Sequence, residues 1–213
     1  TVQATTNTNS LNVNSSDGVS ASSSLLLFRR LSRKGRNVSF NGSLSYSDYS
    51  STTNVRNFAN YKLRPLLDRN YDRYMDGDTR RFNYTLGFNY TEPLFKKVYL
   101  QLRYNFNYSR SSTNRMGYEY DHEDPNDRDF AITPIEWDTM AIDTTLSNIT
   151  RNTYYSHSFN FSVRHVTTKL NLNYGIHLNP RHNEANYILG QRMDKGIVKQ
   201  DLYNWAPNLH MKY

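Results

Sequence analysis

The sequence has no cysteine, which excludes a disulfide framework, a thiolate metal site and a catalytic thiol. It also has no long hydrophobic run. The longest, Leu25-Leu26-Leu27-Phe28, falls far short of the roughly 18 consecutive apolar residues of a membrane helix, so helical spans are excluded. A mean hydropathy of -0.82 does not extend that exclusion to every membrane protein, because a spanning β-barrel needs only alternate residues to be apolar. No basic helix or continuous basic stripe is present, although the net charge is +7 and the pI about 9.5. Cations crowd into short segments such as Arg29-Arg30, Arg33-Lys34, Arg36 and Lys96-Lys97, and nine of the nineteen acids fall between Glu119 and Asp143. That distribution argues against a nucleic-acid partner. A nucleophile elbow, a phosphate loop and a carboxylate pair on rigid neighbouring strands are missing too, so neither catalysis nor a cofactor is expected. The chain opens at Thr1 with no basic or apolar leader, which reads as a leader already removed or as an internal fragment.

What is present is alternation. Val38, Phe40, Leu44 and Tyr46 share one parity with Gly42, while Ser39, Asn41, Ser43 and Ser45 share the other. Only a strand separates such sets onto opposite faces. The pattern returns at Phe82, Tyr84, Leu86, Phe88 and Tyr90 against Asn83, Thr85, Gly87, Asn89 and Thr91. It is clearest at Val98, Leu100, Leu102, Tyr104, Phe106 and Tyr108, opposed by Gln101, Arg103, Asn105 and Asn107. Two more strands follow, one with Tyr155, His157, Phe159, Phe161, Val163 and His165 on its apolar face, the other with Leu170, Leu172, Tyr174, Ile176 and Leu178. Ser22–Leu31 reads as an earlier strand with Leu25, Leu27 and Leu31 on the apolar side, and a last strand begins near Asn208.

These seven strands of roughly 9 to 12 residues match the length that a tilted strand needs to cross a bilayer. Connections alternate between short (32–37, 92–97, 166–169) and long (47–80, 110–153, 180–207), the layout of an outer-membrane barrel with periplasmic turns and extracellular loops. The expected fold is an all-β, antiparallel up-and-down meander forming part of a transmembrane barrel, with residues 1–21 a polar loop or strand lead-in and 22–213 the barrel segment. Its lipid-facing set is Val38, Phe40, Leu44, Phe82, Leu86, Phe88, Leu100, Leu102, Phe106, Phe159, Phe161, Leu172 and Ile176. Tyr46, Tyr84, Tyr104, Tyr108 and Tyr155 form an aromatic girdle toward the long loops. Asn41, Asn83, Gln101, Arg103, Asn105, Asn160, Arg164, Asn171 and Asn173 face a wet lumen, since few charges and many Asn, Ser and Thr distinguish this face from the exterior of a water-soluble sandwich. His157 and His165 are placed near opposite ends of their strand, where a polar group in lipid costs least.

Three patterns have plainer readings. The acidic run from Asp121 to Asp129 has the carboxylates a Ca²⁺ site needs but neither EF-hand spacing nor its glycine, so it reads first as a solvated loop. The six histidines lack metal-motif spacing, and no metal site is expected. Asn-x-Ser/Thr sequences at Asn37, Asn41, Asn83, Asn89, Asn107, Asn148 and Asn160 follow from period-2 alternation without any glycan.

Particular stretches also resemble a known family. Leu31-Ser-Arg-Lys-Gly-Arg36 before Val38-Ser-Phe-Asn-Gly-Ser-Leu-Ser-Tyr46 is similar to a basic turn and strand of the outer-membrane β-barrel family of Bacteroidota, itself similar to TonB-dependent receptors. Tyr90-Thr-Glu-Pro-Leu94 before Val98-Tyr-Leu-Gln-Leu-Arg-Tyr104 resembles the next hairpin, and Asp143-Thr-Thr-Leu-Ser-Asn148, Lys169-Leu-Asn-Leu-Asn-Tyr174 and Trp205-Ala-Pro-Asn-Leu209 follow in the family's order. The resemblance implies a bacterial outer-membrane location, lipid as solvent, a plug domain and TonB as partners of a longer protein, uptake of an unidentified ligand, and a chain that supplies a middle slice of the wall. A small complete eight-stranded barrel with a structural or adhesive role, and a secreted glycan-binding β-sandwich, are the alternatives.

Overall fold

The computed structural model describes residues 6–62, 68–121, 139–192 and 195–213. They form seven strands: β1 (Thr6–Arg30), β2 (Asn37–Tyr61), β3 (Arg69–Phe95), β4 (Val98–Asp121), β5 (Asn148–Val166), β6 (Asn171–Leu189) and β7 (Ile197–Lys212). The strands lie in one sheet in the order β1-β2-β3-β4-β5-β6-β7, and every neighbouring pair is antiparallel. Neighbours in space are neighbours in sequence because each turn is too short to carry the chain past an adjacent strand.

The strands are far longer than the alternation suggests. They run from 16 residues in β7 to 27 in β3, against the 9 to 12 expected. Most of what reads as long loop is paired: 47–59 ladders against 69–81, with contacts such as Ser47↔Arg81 and Asn57↔Tyr71. Likewise β7 starts at Ile197 and not near Asn208. The reason lies in the second solvent-facing side. Beyond Tyr46, polar residues dominate both parities of β2 from Ser47 to Asn54 and the apolar ones that follow, Val55, Phe58 and Ala59, do not alternate, so the period-2 signal vanishes while the backbone hydrogen bonds that define a strand persist. Residues 6–21 pair with β2 from Thr6↔Tyr61 onward.

Turns at the short end are built locally. Leu31 N donates to Arg36 O at 2.9 Å, and the Arg30 guanidinium ties the same turn together through Ser32 O and Arg33 O. Between β3 and β4 only Lys96 and Lys97 remain, with Lys97 at φ 67°. A left-handed backbone suits glycine or asparagine, and lysine holds it at a steric cost. Just before this turn the register shifts between Pro93 and Phe95, a bulge that spends one extra residue and puts Phe95 opposite Val98.

No second layer covers this sheet among the described residues. Its buried hydrophobic residues are Phe58, Ala59 and Ala185, too few for the core of a folded domain. The accessible surface is 15263 Å², against about 10,000 Å² expected for a water-soluble monomer of this mass. β1 and β7 stand at opposite edges, so among the described residues the sheet is open and has seven strands, where the small-barrel alternative requires eight in a closed ring. The sandwich alternative requires a second sheet, and all seven strands belong to one.

Relieving the left-handed lysine tests the turn geometry. Lys97→Gly is expected to stabilise the full-length protein by up to about 1 kcal/mol, and Lys97→Val to destabilise it by about as much or more. Denaturant unfolding in detergent provides the measurement.

Candidate functional site

Ladder registers turn the alternation into rows that cross the sheet. Leu27, Phe40, Phe88, Tyr104, Phe159, Leu178 and Trp205 are successive partners, one from each strand. The next row toward the turns is Arg29, Val38, Tyr90, Leu102, Phe161, Ile176 and Pro207. Toward the loops, Leu86 pairs Phe106. Leu100 opposite Val163 and Leu172 opposite His165 extend the same face downward. All thirteen residues of the apolar set thus share one face. Ring contacts join them across strands, Tyr104 to Phe159 at 4.9 Å and Tyr84 to Phe106 at 5.6 Å.

On β4 this face is apolar from Val98 to Tyr108 and then meets Arg110. Ten residues at about 3.3 Å each span roughly 33 Å along the strand, or about 25 Å of height at a tilt of about 40°. That is the height of a barrel's apolar band. The band slides from strand to strand: Val38 ends it on β2 and leads through Tyr90 to Leu102, yet β4 continues it to Val98. Tilted strands require such a stagger.

The five tyrosines do not occupy one level. Tyr84, Tyr108 and Tyr155 are direct partners, with Tyr84 and Tyr108 stacked at 5.0 Å. Tyr46 stands one row nearer the loops, opposite Phe82. Tyr104 lies two rows below, where its hydroxyl meets His157 Nδ1 at 2.9 Å. This pair explains a second departure from the sequence reading: His165 is next to the end of β5, but His157 sits mid-strand. Its ring is packed among Tyr104, Phe106 and Phe159, and a tyrosine hydroxyl takes up the polarity that position at a strand end was expected to excuse.

The polar set shares the other face. Arg103 pairs Asn160, Arg164 pairs Asn173, and Gln101 pairs Ser162. Asn41, Gly87 and Asn105 form one row, in which a Cβ on Gly87 would stand 2.2 Å from the Asn41 amide oxygen. Short side chains bond across strands: Ser109 Oγ donates to Asn83 Oδ1 at 2.6 Å, Asn89 Nδ2 to Ser39 Oγ at 3.1 Å, and Arg164 Nε to Asn171 Oδ1 at 3.3 Å. Two hollows open on this face. One of about 560 Å³ at the turn end is lined by Lys97, Tyr99, Gln101 and Arg164, and one of about 390 Å³ at the loop end by Arg115, Asn148, Asn152 and Arg192. Arginines and amides in such hollows can hold polar or anionic groups by charge-assisted hydrogen bonds. Among the described residues no group of three or more His, Asp or Glu is placed to hold a metal ion. The acidic run 122–129 lies outside the described residues.

Sequence reading missed the loop end. Arg69 bridges Glu119 at 2.9 Å and Asp121 at 3.4 Å, Arg73 bridges Glu119, and Arg56 bridges Asp72 at 3.4 Å. These partners are far apart in sequence, so only the ladder reveals them. A clip follows the long connection. Gly117 N donates to Ser147 Oγ at 2.9 Å, and Asp143 N donates to Gly117 O at 2.8 Å. The site admits only glycine, because a Cβ there would lie 2.5 Å from Leu146 Cβ. Asp143 Oδ1 accepts from the Thr145 hydroxyl and amide, both at 2.6 Å, and from Leu146 N at 3.3 Å. The Thr145 hydroxyl, followed by these backbone amides, holds the Asp143 carboxyl below the ordinary aspartate range, although partial burial opposes the shift.

The class the geometry defines is a single-layer, open antiparallel sheet with one apolar and one polar face. Three solved structures are similar to it over most of this chain at low identity. The ferric citrate transporter FecA, in its unliganded form, is 10% identical over 83% of this chain at a TM-score of 0.40. BauA, the ferric preacinetobactin receptor from Acinetobacter baumannii, is 11% identical over 83% at 0.41. PiuA, a siderophore receptor from Acinetobacter baumannii, is 10% identical over 84% at 0.34. The chain spans 24%, 28% and 30% of those three chains, respectively. No family model and no curated protein matches the sequence.

A depressed carboxylate stabilises above its unfolded pKa, and this contribution is lost as pH falls through the folded value. Amide exchange at Gly117 and Leu146, corrected for intrinsic rates, is therefore expected to be slow at neutral pH and to accelerate once pH drops below about 4. Asp143→Ala should give that acceleration already at pH 7, by about tenfold, while Asp143→Asn, which keeps an acceptor, should give less.

Proposed function

We propose that this chain is a section of the wall and ligand mouth of an outer-membrane β-barrel receptor or transporter resembling the TonB-dependent type. The apolar face lies in lipid, the polar face lines a hydrated lumen, and the paired extensions at the loop end rise above the membrane to select ligand. The observation that carries this reading is the apolar band. It crosses all seven strands, runs roughly 33 Å along β4, which at the tilt of barrel strands is about 25 Å of height, and has no protein layer over it among the described residues. In water such a face would be an aggregation surface; in a bilayer it meets its proper solvent. Apart from the break at Pro180 and the bulge at Pro93–Phe95, the interior strands pair their backbone N–H and C=O groups laterally, as a spanning structure demands. The wall is passive and not catalytic. A plug domain and TonB, implied by the sequence resemblance, would gate passage and supply energy in the longer protein, and the arginine-lined hollows suit a polar or anionic ligand.

Adjacent residues test the facing. In full-length protein, Leu102→Arg is expected to cost about 2–4 kcal/mol near the bilayer midplane, while Gln101→Arg stays nearly neutral for folding. Leu102→Phe separates lipid from a packed interior: lipid accommodates the ring, whereas a close-packed core loses about 1–3 kcal/mol. A damaging Phe would point away from the membrane.

Topology has its own measurement. In a cysteine-free background, Lys62→Cys at the tip of the β2–β3 connection is expected to react with a membrane-impermeant maleimide on intact cells. Lys34→Cys should react only after the outer membrane is permeabilised. The reverse pattern would invert the orientation.

A further inference from the structure

Charge is distributed unequally between the two ends of the sheet. At the loop end, acids are plentiful and several cations are matched: Arg80 with Asp48, Lys199 with Glu184, and Arg69 and Arg73 with Glu119. On the turn side of the tyrosine row, Glu92 is the one acid among the described residues, and Arg36 already holds it. Against it stand Arg33, Lys34, Lys96, Lys97, Lys169 and Lys212, all exposed and none in an ion pair among the described residues. Antiparallel pairing brings them to one edge. The turns 31–36, 96–97 and 167–170 share it, and Lys212 joins them opposite Asn171.

This cationic edge borders the apolar band directly. The bulge between Pro93 and Phe95 returns Phe95 to the face of its partner Val98. Phe95 is 76% exposed and Leu94 44%, immediately before Lys96-Lys97. The Lys97 backbone is left-handed, where glycine would sit without strain, yet the position carries a positive charge. A soluble acidic chain would satisfy the lysines and leave Phe95 in water. An anionic phospholipid satisfies both, with phosphate at the cations and acyl chains along the band.

We infer that the short-turn end is a cationic rim that binds headgroups of anionic phospholipids in the leaflet it meets. This rests on the wall reading above, and the test separates the two. Full-length protein is reconstituted into nanodiscs of phosphatidylcholine with phosphatidylglycerol, and the lipids retained on extraction are measured by native mass spectrometry. The expected result is an enrichment of phosphatidylglycerol of about tenfold, falling toward none at about 0.5 M salt, where charges are screened within a few ångströms. Combined Arg33→Gln, Lys34→Gln, Lys96→Gln and Lys97→Gln should abolish most of that enrichment without preventing insertion. The all-Arg counterpart Lys34→Arg, Lys96→Arg and Lys97→Arg should retain it, which excludes a folding defect as the cause. Insertion with no lipid preference overturns the rim and leaves the wall reading standing. Soluble polyglutamate that binds phosphatidylcholine nanodiscs through the same four residues as strongly as phosphatidylglycerol does also overturns it, because an acidic chain would then be the partner. Failure to enter any bilayer overturns both.

Discussion

Lateral pairing of backbone N–H and C=O groups is the interaction on which the rest of this structure depends. A water-soluble sheet of this size draws its stability from a core between layers, whereas here Phe58, Ala59 and Ala185 are the buried apolar residues among those described. What holds the strands is the ladder, which runs through all seven from Thr6↔Tyr61 to Asn171↔Lys212, together with contacts between side chains on neighbouring strands. Such a sheet has no inside of its own. Each face must therefore suit a solvent, and the two faces suit different ones: rings and aliphatic chains on one, Asn, Ser and Thr on the other.

The polar face shows how this division is kept with short side chains. An Asn opposite a Ser, as in Asn89 and Ser39, bonds across the ladder while leaving capacity for water. Charged groups are few and are placed among amides, as Arg164 is beside Asn171. On the apolar face the exception proves consistent with the same rule. His157 is a polar ring within the band, and the hydroxyl of Tyr104 meets it, so the hydrogen-bonding demand is met inside the sheet. Opposite it, Pro180 interrupts the β5–β6 ladder because it has no N–H to give, and Asn179, with its amide nitrogen turned to the His157 carbonyl, replaces the lost bond at 3.1 Å.

These principles also explain what was legible in the sequence. Phe40, Leu102 and Phe161 announce their facing because a one-residue slip would move each to the polar side, so the alternation is strongly constrained wherever the two solvents differ. Seven strands and their nearest-neighbour order follow from that alternation and from the short turns. The loop-end halves of the strands were illegible for the same reason in reverse. Ser50, Ser51, Thr52 and Thr53 are polar on both parities, so the pairing leaves no trace in composition. The Arg69–Glu119 bridge and the Gly117 clip were hidden as well, since each joins residues dozens of positions apart. Strand length was accordingly underestimated.

The two edges complete the physical reasoning. β1 and β7, 25 and 16 residues long, each leave the outward-pointing half of their backbone N–H and C=O groups unpaired along the side away from the sheet. Charged residues such as Arg29 and Lys199 lie on these strands, but they are too sparse to blunt such edges in water, and in hydrocarbon each unpaired group costs several kcal/mol. The wall reading therefore demands further strands on both sides, paired to β1 and β7 and continuing the apolar band beyond Leu27 and Trp205. β1 carries a second sign of the same demand. Leu26 and Phe28 lie opposite Asn41 and Ser39 on the polar face, yet are 72% and 68% exposed. On the wall reading the polar face meets water, so apolar groups there call for cover from protein, which in a barrel has to come from within the lumen.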